Sequence, residues 1–533
     1  MDFRYAVSLV LEAHLPFVRE FHNDGDLSQA GKESWFFEAV SETYLPLLEV
    51  LDRLESDHVP FRLGLSISPL LCQMLVDEHL IKKYLNYTDR QIEFGRKELE
   101  RLAVQSGISK LAEHYCERIL EKRAAFTERY EGNILKAFDH FRRKGKIEFL
   151  AGGATHAFFP FISQSLESTR AQFDVAVSNY KHHFGDCPQG FWLPELGWTQ
   201  SLENFLREYN FSYAIVDSHS LISGKPLPVK GNFYPVKTPN GTFILARDFY
   251  VTREIECFAG DEAYRDNNRD AGFELPPEMV SPLLSRERER RETGFKYWAR
   301  AKDADYDTQT ALNKAVEHAA SFLDNVTDRL EKASQFMEET PLVLCAHNAD
   351  TFGRFWHEGS QFIEALFRKA AEAVKADKYR DFQFICPGEY IYKQDLSSFQ
   401  TIVPEYSSWG HNGYAETWLA ASNDWMYRHL FRAMERMTEL AERFDKDNGI
   451  RERALNQAAR EILLAQSSDW PGLLYRQDST EYARNQVENA LRNFTTIYEA
   501  LGSSYISTEW LTSLERRHNF FPDINYQVFR RKK

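Results

Sequence analysis

The chain has 533 residues, 43% of them apolar and 27% charged, which is enough sequence for one large folded domain and at least one smaller domain. Its formal charge of −14 argues against nucleic acid as a partner, because phosphate backbones are bound by clusters of lysine and arginine. The densest charged run, RERERRE at 286–292, alternates in sign, which is typical of a solvated helix or loop.

The cysteines and the apolar runs favour a cytoplasmic protein. The six cysteines are scattered and form no CxxC pair, so the sequence predicts neither a zinc knot nor a disulfide framework. The apolar stretch near the N-terminus is too short and too interrupted for a signal peptide, and no run of about 18 apolar residues occurs. We therefore expect a protein of the reducing cytoplasm with no membrane partner.

Seven short β-rich runs alternate with helical patterns, as in parallel sheets with helical crossovers. They are YAVSLVLEAHL, FRLGLSIS, KIEFLAGGATH, GFWLPEL, YAIVDSHS, PLVLCAHNAD and FQFICPGEY. The runs tend to begin with apolar residues and to carry polar residues near their ends, from His14 in the first to Glu389 in the last. Because active sites of β/α barrels lie at the carboxyl ends of the strands, the pattern predicts an α/β fold, an incomplete (β/α)7 barrel with a catalytic mouth. For any single run, the polar end also fits the start of a loop.

Three further segments define the domain organisation. The helical pattern at 70–146 is too long for one crossover helix and predicts a helical insertion. Asn240 and Gly241 between β-prone runs are a hairpin signal, and we expect the hairpin at about 225–248 to form a lid beside the mouth. Long amphipathic helical patterns follow, so we expect a barrel domain at 1–399 and a C-terminal helical domain at 400–533.

The stretch FWLPELGW sets one carboxylate, Glu195, among Trp192, Pro194 and Trp198 at a predicted strand end. A carboxylate in an aromatic pocket at a barrel mouth fits a glycosidic nucleophile, because such reactions pass through an oxocarbenium-like state that a carboxylate stabilises or captures. The same residue also fits a cap for the following helix. The spacing alone leaves both interpretations open.

Ordered motifs along nearly the whole chain resemble glycoside hydrolase family 57, in particular the branch that contains 1,4-α-glucan branching enzymes and related amylase-like proteins with a C-terminal helical domain. The motifs include AHLPFVR at 13–19, ATHAFFP at 154–160, FWLPELGW at 191–198, LARD at 245–248, FGRFWHEG at 352–359, SSWGHNGY at 407–414 and LLAQSSDW at 463–470. The resemblance implies that Glu195 is the nucleophile of a retaining mechanism.

The family's acid/base position departs from the pattern. The first aspartate of the family's D-x-E-x-F-G motif is Asn348 in this chain, which reads NADTFG. An amide cannot transfer a proton, and general acid/base help is worth about 10² to 10⁴ in rate. Asp350 takes the place of the motif's glutamate; in a strand it would face the same side as Asn348, about 6 to 7 Å further along, and it is a possible substitute.

Other positions of the resemblance concern substrate. His14, His156 and Asp248 match positions where the family contacts sugar hydroxyls or the nucleophile, and Trp409 and Trp418 match tryptophans that stack on sugar rings, although each tryptophan taken singly also fits a core. The family's loop tyrosine falls at Phe233, with Tyr234 beside it. Two departures alter the mouth: Glu12 replaces the first histidine of the family's H-A-H-L-P motif, and the segment after LARD lacks the family's Q-V-W element.

Metal and cofactor chemistry find no support in the sequence. His182 and His183 are adjacent rather than four residues apart, and no HExxH motif or glycine-rich phosphate loop occurs. We therefore expect neither a metal nor a cofactor.

The resemblance implies an enzyme that acts on α-1,4-glucan (amylose, glycogen or malto-oligosaccharide) with retention and makes α-1,6 branches through a glycosyl-enzyme on Glu195. The competing hypothesis is a glucan-binding or regulatory protein of the same fold whose catalysis is lost or reduced, because Asn348 replaces the acid/base. The balance of hydrolysis and transfer, the transferred chain length and the oligomeric state stay open.

Overall fold

The computed structural model describes residues 3–19, 31–102, 106–280, 290, 292–376, 378, 381–503 and 505–532. The charged run at 286–292 falls mostly outside the described residues, as do 103–105 of the predicted insertion.

Within the described residues, nine strands form one sheet. They are β1 (Tyr5–Ala13), β2 (Leu63–Ile67), β3 (Ile147–Ala151), β4 (Gly190–Trp192), β5 (Tyr213–Asp217), β6 (Val236–Lys237), β7 (Phe243–Arg247), β8 (Leu342–Asn348) and β9 (Phe382–Phe384). Their order is β6-β7-β5-β4-β3-β2-β1-β8, with β9 also on β1. All neighbours pair in parallel except β6 and β7.

The seven parallel strands from β7 to β8 curl into a nearly closed barrel. The two edge strands meet where the Asp248 amide donates to the Leu344 carbonyl, at 2.8 Å. Alternate residues of the strands fill the barrel with one apolar cluster, because successive side chains of a strand point to opposite faces. This cluster includes Val10, Leu150, Trp192, Ile215, Leu245 and Leu344. The predicted α/β barrel is thereby confirmed.

Helices cover the outside of the barrel, and further helices follow the barrel in the C-terminal part of the chain. They are α1 (Ser34–Glu38), α2 (Leu45–Ser56), α3 (Pro69–Leu75), α4 (Glu78–Leu102), α5 (Ser106–Ala124), α6 (Ile134–Arg143), α7 (Phe159–Ile162), α8 (Leu166–Phe184), α9 (Leu202–Glu208), α10 (Ser218–Ile222), α11 (Phe249–Ala259), α12 (Ala271–Glu274), α13 (Thr308–Ser334), α14 (Gly359–Lys375), α15 (Pro387–Tyr392), α16 (Trp425–Arg443), α17 (Gly449–Ala465), α18 (Asp469–Arg476), α19 (Thr480–Ser503) and α20 (Thr508–Arg517). Helices α3 to α6 lie between β2 and β3, and α16 to α20 form the C-terminal helical region. No described helix is both long and apolar enough to cross a bilayer.

The hairpin at 225–248 is not a lid. Its second strand, β7, pairs in parallel with β5 and is part of the barrel wall. Its turn at Asn240 and Gly241 precedes β7 and therefore lies at the amino end of the barrel, opposite the mouth. Gly241 has a φ of +95°, which a glycine adopts without strain. The hairpin forms as predicted, but a local turn signal does not indicate the end of the barrel at which the turn lies.

The run FQFICPGEY also lies at the amino end. Strand β9 pairs with the first residues of β1, Tyr5 to Val7, so Glu389 does not reach the mouth. Its carboxylate lies 3.5 Å from Arg62, just before β2. Helix α15 closes this end of the barrel, where the buried Tyr390 hydroxyl donates to the Thr340 carbonyl at 2.5 Å. The barrel has seven parallel strands, but β7 is the seventh rather than β9.

Candidate active site

A cleft of about 420 Å³ opens at the carboxyl ends of the barrel strands, against the C-terminal helical region. Parallel strands bring their carboxyl ends to one side of a barrel, so residues far apart in sequence meet there. The lining includes the sequence-predicted residues His14, His156, Glu195, Asn348, Asp350 and Trp409. It also includes Glu12, Trp35, Arg354, Phe355, Asp469 and Arg476.

Glu195 lies three residues beyond the end of β4, in a tight turn over Pro194–Leu196. Its φ and ψ are 60° and 18°, and Leu196 also has a positive φ of 49°. Such conformations cost about 1 to 3 kcal/mol each for residues other than glycine and cluster at functional sites. Trp409 holds the residue through two hydrogen bonds: its Nε1 donates to Glu195 Oε2 at 2.6 Å, and its amide donates to the Glu195 carbonyl at 3.0 Å.

The second carboxylate oxygen of Glu195 is held from the helical region. Ser468, which immediately precedes α18, places its Oγ 2.8 Å from Glu195 Oε1. The same Oγ lies 2.8 Å from Nδ1 of His156, a ring nitrogen that is itself 3.8 Å from Glu195 Oε1. Both oxygens of Glu195 are therefore engaged by side chains that come from outside the barrel. Sequence reasoning assigned no role to Ser468, although LLAQSSDW was one of the motifs of the resemblance.

His156 is buried between two carboxylates. Its Nε2 lies 2.7 Å from Glu12 Oε1, on the side of the ring opposite Ser468. Burial alone would lower the pKa of the imidazole, but the carboxylate of Glu12, assisted by Glu195 and Asp469, raises the pKa of His156 to about 9. The neighbouring carboxylates therefore favour the protonated, positively charged form of His156.

His14 stacks on His156, with ring centroids 3.8 Å apart and planes at 10°. Its Nδ1 lies 2.8 Å from Ser68 Oγ, and its Nε2 lies 3.0 Å from Asp469 Oδ2. Burial opposes ionisation of Asp469, but the nearby His14 keeps the pKa of that carboxyl below its usual value.

Donor atoms of His14, His156 and Asp469 lie within 4.8 Å of one another, a set that could hold a metal ion. However, all four ring nitrogens already lie within hydrogen-bond distance of a protein oxygen. A bound ion would have to displace some of these hydrogen bonds, so we assign the three side chains to the hydrogen-bond network and not as metal ligands.

Asn348 and Asp350 form the other side of the cleft. Strand β8 ends at Asn348, whose Oδ1 accepts from the Asp350 amide at 2.9 Å and caps a short turn over Ala349–Phe352. Asp350 therefore lies in a turn and not in a strand, which corrects the expectation of a shared strand face. The reason is the capping bond of Asn348, which bends the chain after β8.

Asp350 is 3% exposed, and its Oδ2 lies 3.5 Å from Arg354. Its Oδ1 is buried and has no hydrogen-bond partner in the described part of the chain. Burial raises the pKa of Asp350 above the usual value, although Arg354 and Thr43 partly oppose the shift. A carboxyl group that protonates readily is suited to donate a proton.

The structure does not bring Asp248 or Trp418 to the cleft lining. The Asp248 carboxylate caps α11 through the Tyr250 amide at 2.9 Å and pairs with Arg329 at 2.5 Å. Trp418 is 2% exposed and stacks on Phe158 at 4.3 Å. The Asp248 side chain therefore caps a helix, and the Trp418 side chain packs in the core.

Phe233 and Tyr234 also lie away from the cleft. The Phe233 carbonyl accepts from the amide of Leu342, the first residue of β8, which places this segment at the amino end of the barrel. Tyr234 is buried, and its hydroxyl lies 2.5 Å from Ser398 Oγ. The misplacement has the same origin as the predicted lid, because both depend on the course of the 225–248 segment.

Comparisons with known proteins agree with this architecture. The family model described as glycosyl hydrolase family 57 matches residues 8–394, and the model described as 1,4-alpha-glucan branching enzyme, C-terminal, matches residues 429–529. The crystal structure of the novel alpha-amylase AmyC from Thermotoga maritima has 32% sequence identity and a TM-score of 0.90, over 99% of this chain and 100% of that chain.

Two branching enzymes are also similar. The 1,4-alpha-glucan branching enzyme TK1436 of Thermococcus kodakarensis is 26% identical, over 97% of this chain and 77% of the relative. The crystal structure of a GH57-type branching enzyme from Pyrococcus horikoshii has a TM-score of 0.88 at 24% identity, over 100% of this chain and 98% of that chain, and supports the fold.

Proposed function

The chain belongs to glycoside hydrolase family 57, and we propose that it is a retaining α-1,4-glucan transglycosylase of the 1,4-α-glucan branching enzyme type, with Glu195 as its nucleophile. The observation that carries this proposal is the geometry of Glu195. Its carboxylate is held at both oxygens, by Trp409 and Ser468, on a strained turn at the barrel mouth. A carboxylate that only capped a helix would need neither constraint.

The proposed chemistry has two steps. In the first, an oxygen of Glu195 bonds to the anomeric carbon of an α-1,4-linked glucose while the glycosidic C–O bond breaks, and the leaving oxygen takes a proton from the acid. In the second, a 6-hydroxyl oxygen of an acceptor glucan bonds to the same carbon, the bond between that carbon and Glu195 breaks, and the hydroxyl proton passes to the deprotonated acid/base. Two inversions at one carbon give net retention and an α-1,6 branch.

Asp350 is the proposed acid/base. Its burial and raised pKa favour the protonated form that the first step needs, whereas the Asn348 amide is too weak an acid to transfer a proton. In this scheme Asn348 positions Asp350 through the bond from its Oδ1 to the Asp350 amide. The expected substrates are amylose, glycogen or malto-oligosaccharides, and the six free cysteines support a reducing, cytoplasmic location.

A second candidate is a glucan-binding or regulatory protein without catalysis. The specific observation in its favour is that Asp350 contacts Arg354 and is almost fully buried, which would restrict its access to a glycosidic oxygen. In that case Glu195 and Trp409 would serve only to bind sugar.

Branch formation on amylose by the purified protein tests the proposal. New α-1,6 linkages are measured by NMR, with a debranched sample as the control, and hydrolysis is measured as new reducing ends. We expect the wild type to make branches, Glu195→Gln to make none, and Glu389→Gln, altered at the far end of the barrel, to match the wild type. New reducing ends without branches would make the protein an amylase.

A wild type that shows neither activity, but is retarded in an amylose affinity gel, would support the binding protein. Activation by Asn348→Asp, alone or combined with Glu12→His, would then identify the lost acid/base. A Glu195→Gln variant as active as the wild type would overturn the assignment of the nucleophile.

A further inference from the structure

Glu12 is a carboxylate at a position where the resemblance leads one to expect histidine, and nothing in the two-step chemistry uses it. We propose that Glu12 is a positioning residue that keeps His156 doubly protonated and so, through Ser468, holds Glu195 as an oriented carboxylate. The inference deepens the proposed function, since it rests on Glu195 as nucleophile. The contacts run from Glu12 through His156 and Ser468 to Glu195.

The hydrogen-bond donors along that line can be counted. If Glu195 is ionised, it only accepts, so the Ser468 hydroxyl donates to Glu195 Oε1 at 2.8 Å. That hydroxyl has then used its proton and must accept from His156 Nδ1, also at 2.8 Å. Glu12 as a carboxylate likewise only accepts, so His156 Nε2 must donate at 2.7 Å. Both ring nitrogens therefore carry protons, which makes His156 an imidazolium.

The stacked neighbour, His14, has different partners. Its Nε2 donates to Asp469, but its Nδ1 can accept from Ser68, whose oxygen accepts from the Leu71 amide. The titratable groups that face His156 are Glu12 and His14 from β1 and its end, Glu195 after β4, and Asp469 of α18.

The sheet register explains how Glu12 can keep its charge. Glu12 lies directly opposite Asn348 on the neighbouring strand β8. Like charges at opposed positions of adjacent strands destabilise each other. Because residue 348 is a neutral amide, Glu12 is not repelled by a second carboxylate at that position. The two departures from the family pattern are therefore neighbours in space.

The protonation of His156 can be measured without any catalysis. NMR titration of the protein with 13C-labelled histidine, assigned with His156→Gln, should show His156 titrating near pH 9 in the wild type. In Glu12→Gln, which keeps the shape but removes the charge, the midpoint should fall by about one to three units. A matched control is Glu49→Gln, which removes a buried carboxylate paired with Arg118 away from the cleft.

A His156 midpoint that stays within half a unit in Glu12→Gln would overturn the inference, as would a neutral His156 in the wild type with the proton on Glu12. Far-ultraviolet circular dichroism shows whether each variant folds. Glu12→Asp, which retains the charge on a shorter side chain, should recover most of the high midpoint and keeps the test valid if Glu12→Gln proves unstable.

The pH profile of branch formation adds the catalytic readout. Loss of the imidazolium should disfavour ionised Glu195, so the acidic limb of kcat/KM in Glu12→Gln should move up by about one pH unit, with partial rescue in Glu12→Asp. Glu49→Gln should leave the limb in place. An unshifted limb in Glu12→Gln would contradict the link to Glu195.

The two proposals fail in distinguishable ways. If Glu195→Gln retains activity, the proposed function fails while the NMR result for His156 stands on its own. If Glu195→Gln is inactive but the His156 midpoint does not depend on Glu12, only the inference fails.

Discussion

The two carboxyl groups of the cleft have contrasting surroundings. Both oxygens of Glu195 are within 2.8 Å of a donor, whereas Asp350 has one oxygen 3.5 Å from Arg354 and one that is buried without a partner in the described chain. Hydrogen bonds to a carboxylate favour its charged form, and burial favours the neutral form. The cleft therefore combines a carboxyl group fixed by hydrogen bonds at both oxygens, Glu195, with one whose burial favours the protonated form, Asp350.

The two sides also differ in where their parts come from. The residues that donate to Glu195 are more than 200 positions away from it in the sequence. Ser468 lies next to α18, and Trp409 lies in the segment that links the barrel to the helical region. Asp350 is held mainly by residues near it in sequence, Asn348 and Arg354. Docking of the helical region thus assembles the Glu195 side, while the Asp350 side is set by one turn.

The largest expected effect distinguishes the roles of Asp350 and Glu195 by using two substrates whose leaving groups differ in their need for a proton. Asp350→Asn should lower turnover of natural glucan by about 10² to 10⁴, because the leaving oxygen then lacks a proton. On a dinitrophenyl maltoside, whose leaving group needs no proton, the first step should slow by less than about tenfold. Glu195→Gln should lose activity on both substrates. Kinetics on the two substrates, with Glu389→Gln as control, make the comparison; equal losses for Asp350→Asn on both would remove its acid role.

Much of the barrel could be predicted from the sequence, since the buried strands read as apolar runs that end in polar residues. Glu195, His14 and His156 lie in the cleft as expected, because each directly follows or closely follows a strand of the barrel. Ser468 could not be assigned, because its place beside Glu195 depends on how the helical region docks. Trp418 was misplaced, since an aromatic residue gives the same local signal in a core as at a sugar site. Tyr234 was misplaced because the course of the 225–248 segment is set by tertiary packing.

The second prediction concerns stability on the Glu195 side. Because the pKa of His156 lies near 9 in the folded protein and near 6.5 in its ordinary state, its stabilising contribution is complete at pH 6 and is lost as the pH rises through 9. The contribution amounts to up to about 3 kcal/mol. The thermal midpoint of the wild type should therefore exceed that of Glu12→Gln most at pH 6, with a difference that narrows by pH 9.5. A difference that is constant or widens over this range would contradict the charged pair.

The smallest expected effect tests how Arg354 influences the pKa of Asp350. Arg354 lies 3.5 Å from Asp350 and lowers the pKa that burial raises, so Arg354→Met should let that pKa rise further. Activity that needs protonated Asp350 is lost when Asp350 ionises, and the basic limb of kcat/KM should move up by about one pH unit. Arg354→Lys, which keeps the charge, should move the limb less, and Arg62→Met at the far end of the barrel should not move it. A basic limb that moves down, or that moves equally in the lysine variant, would mean that the limb reports another group, because only loss of the positive charge beside Asp350 raises the pKa of the proposed acid.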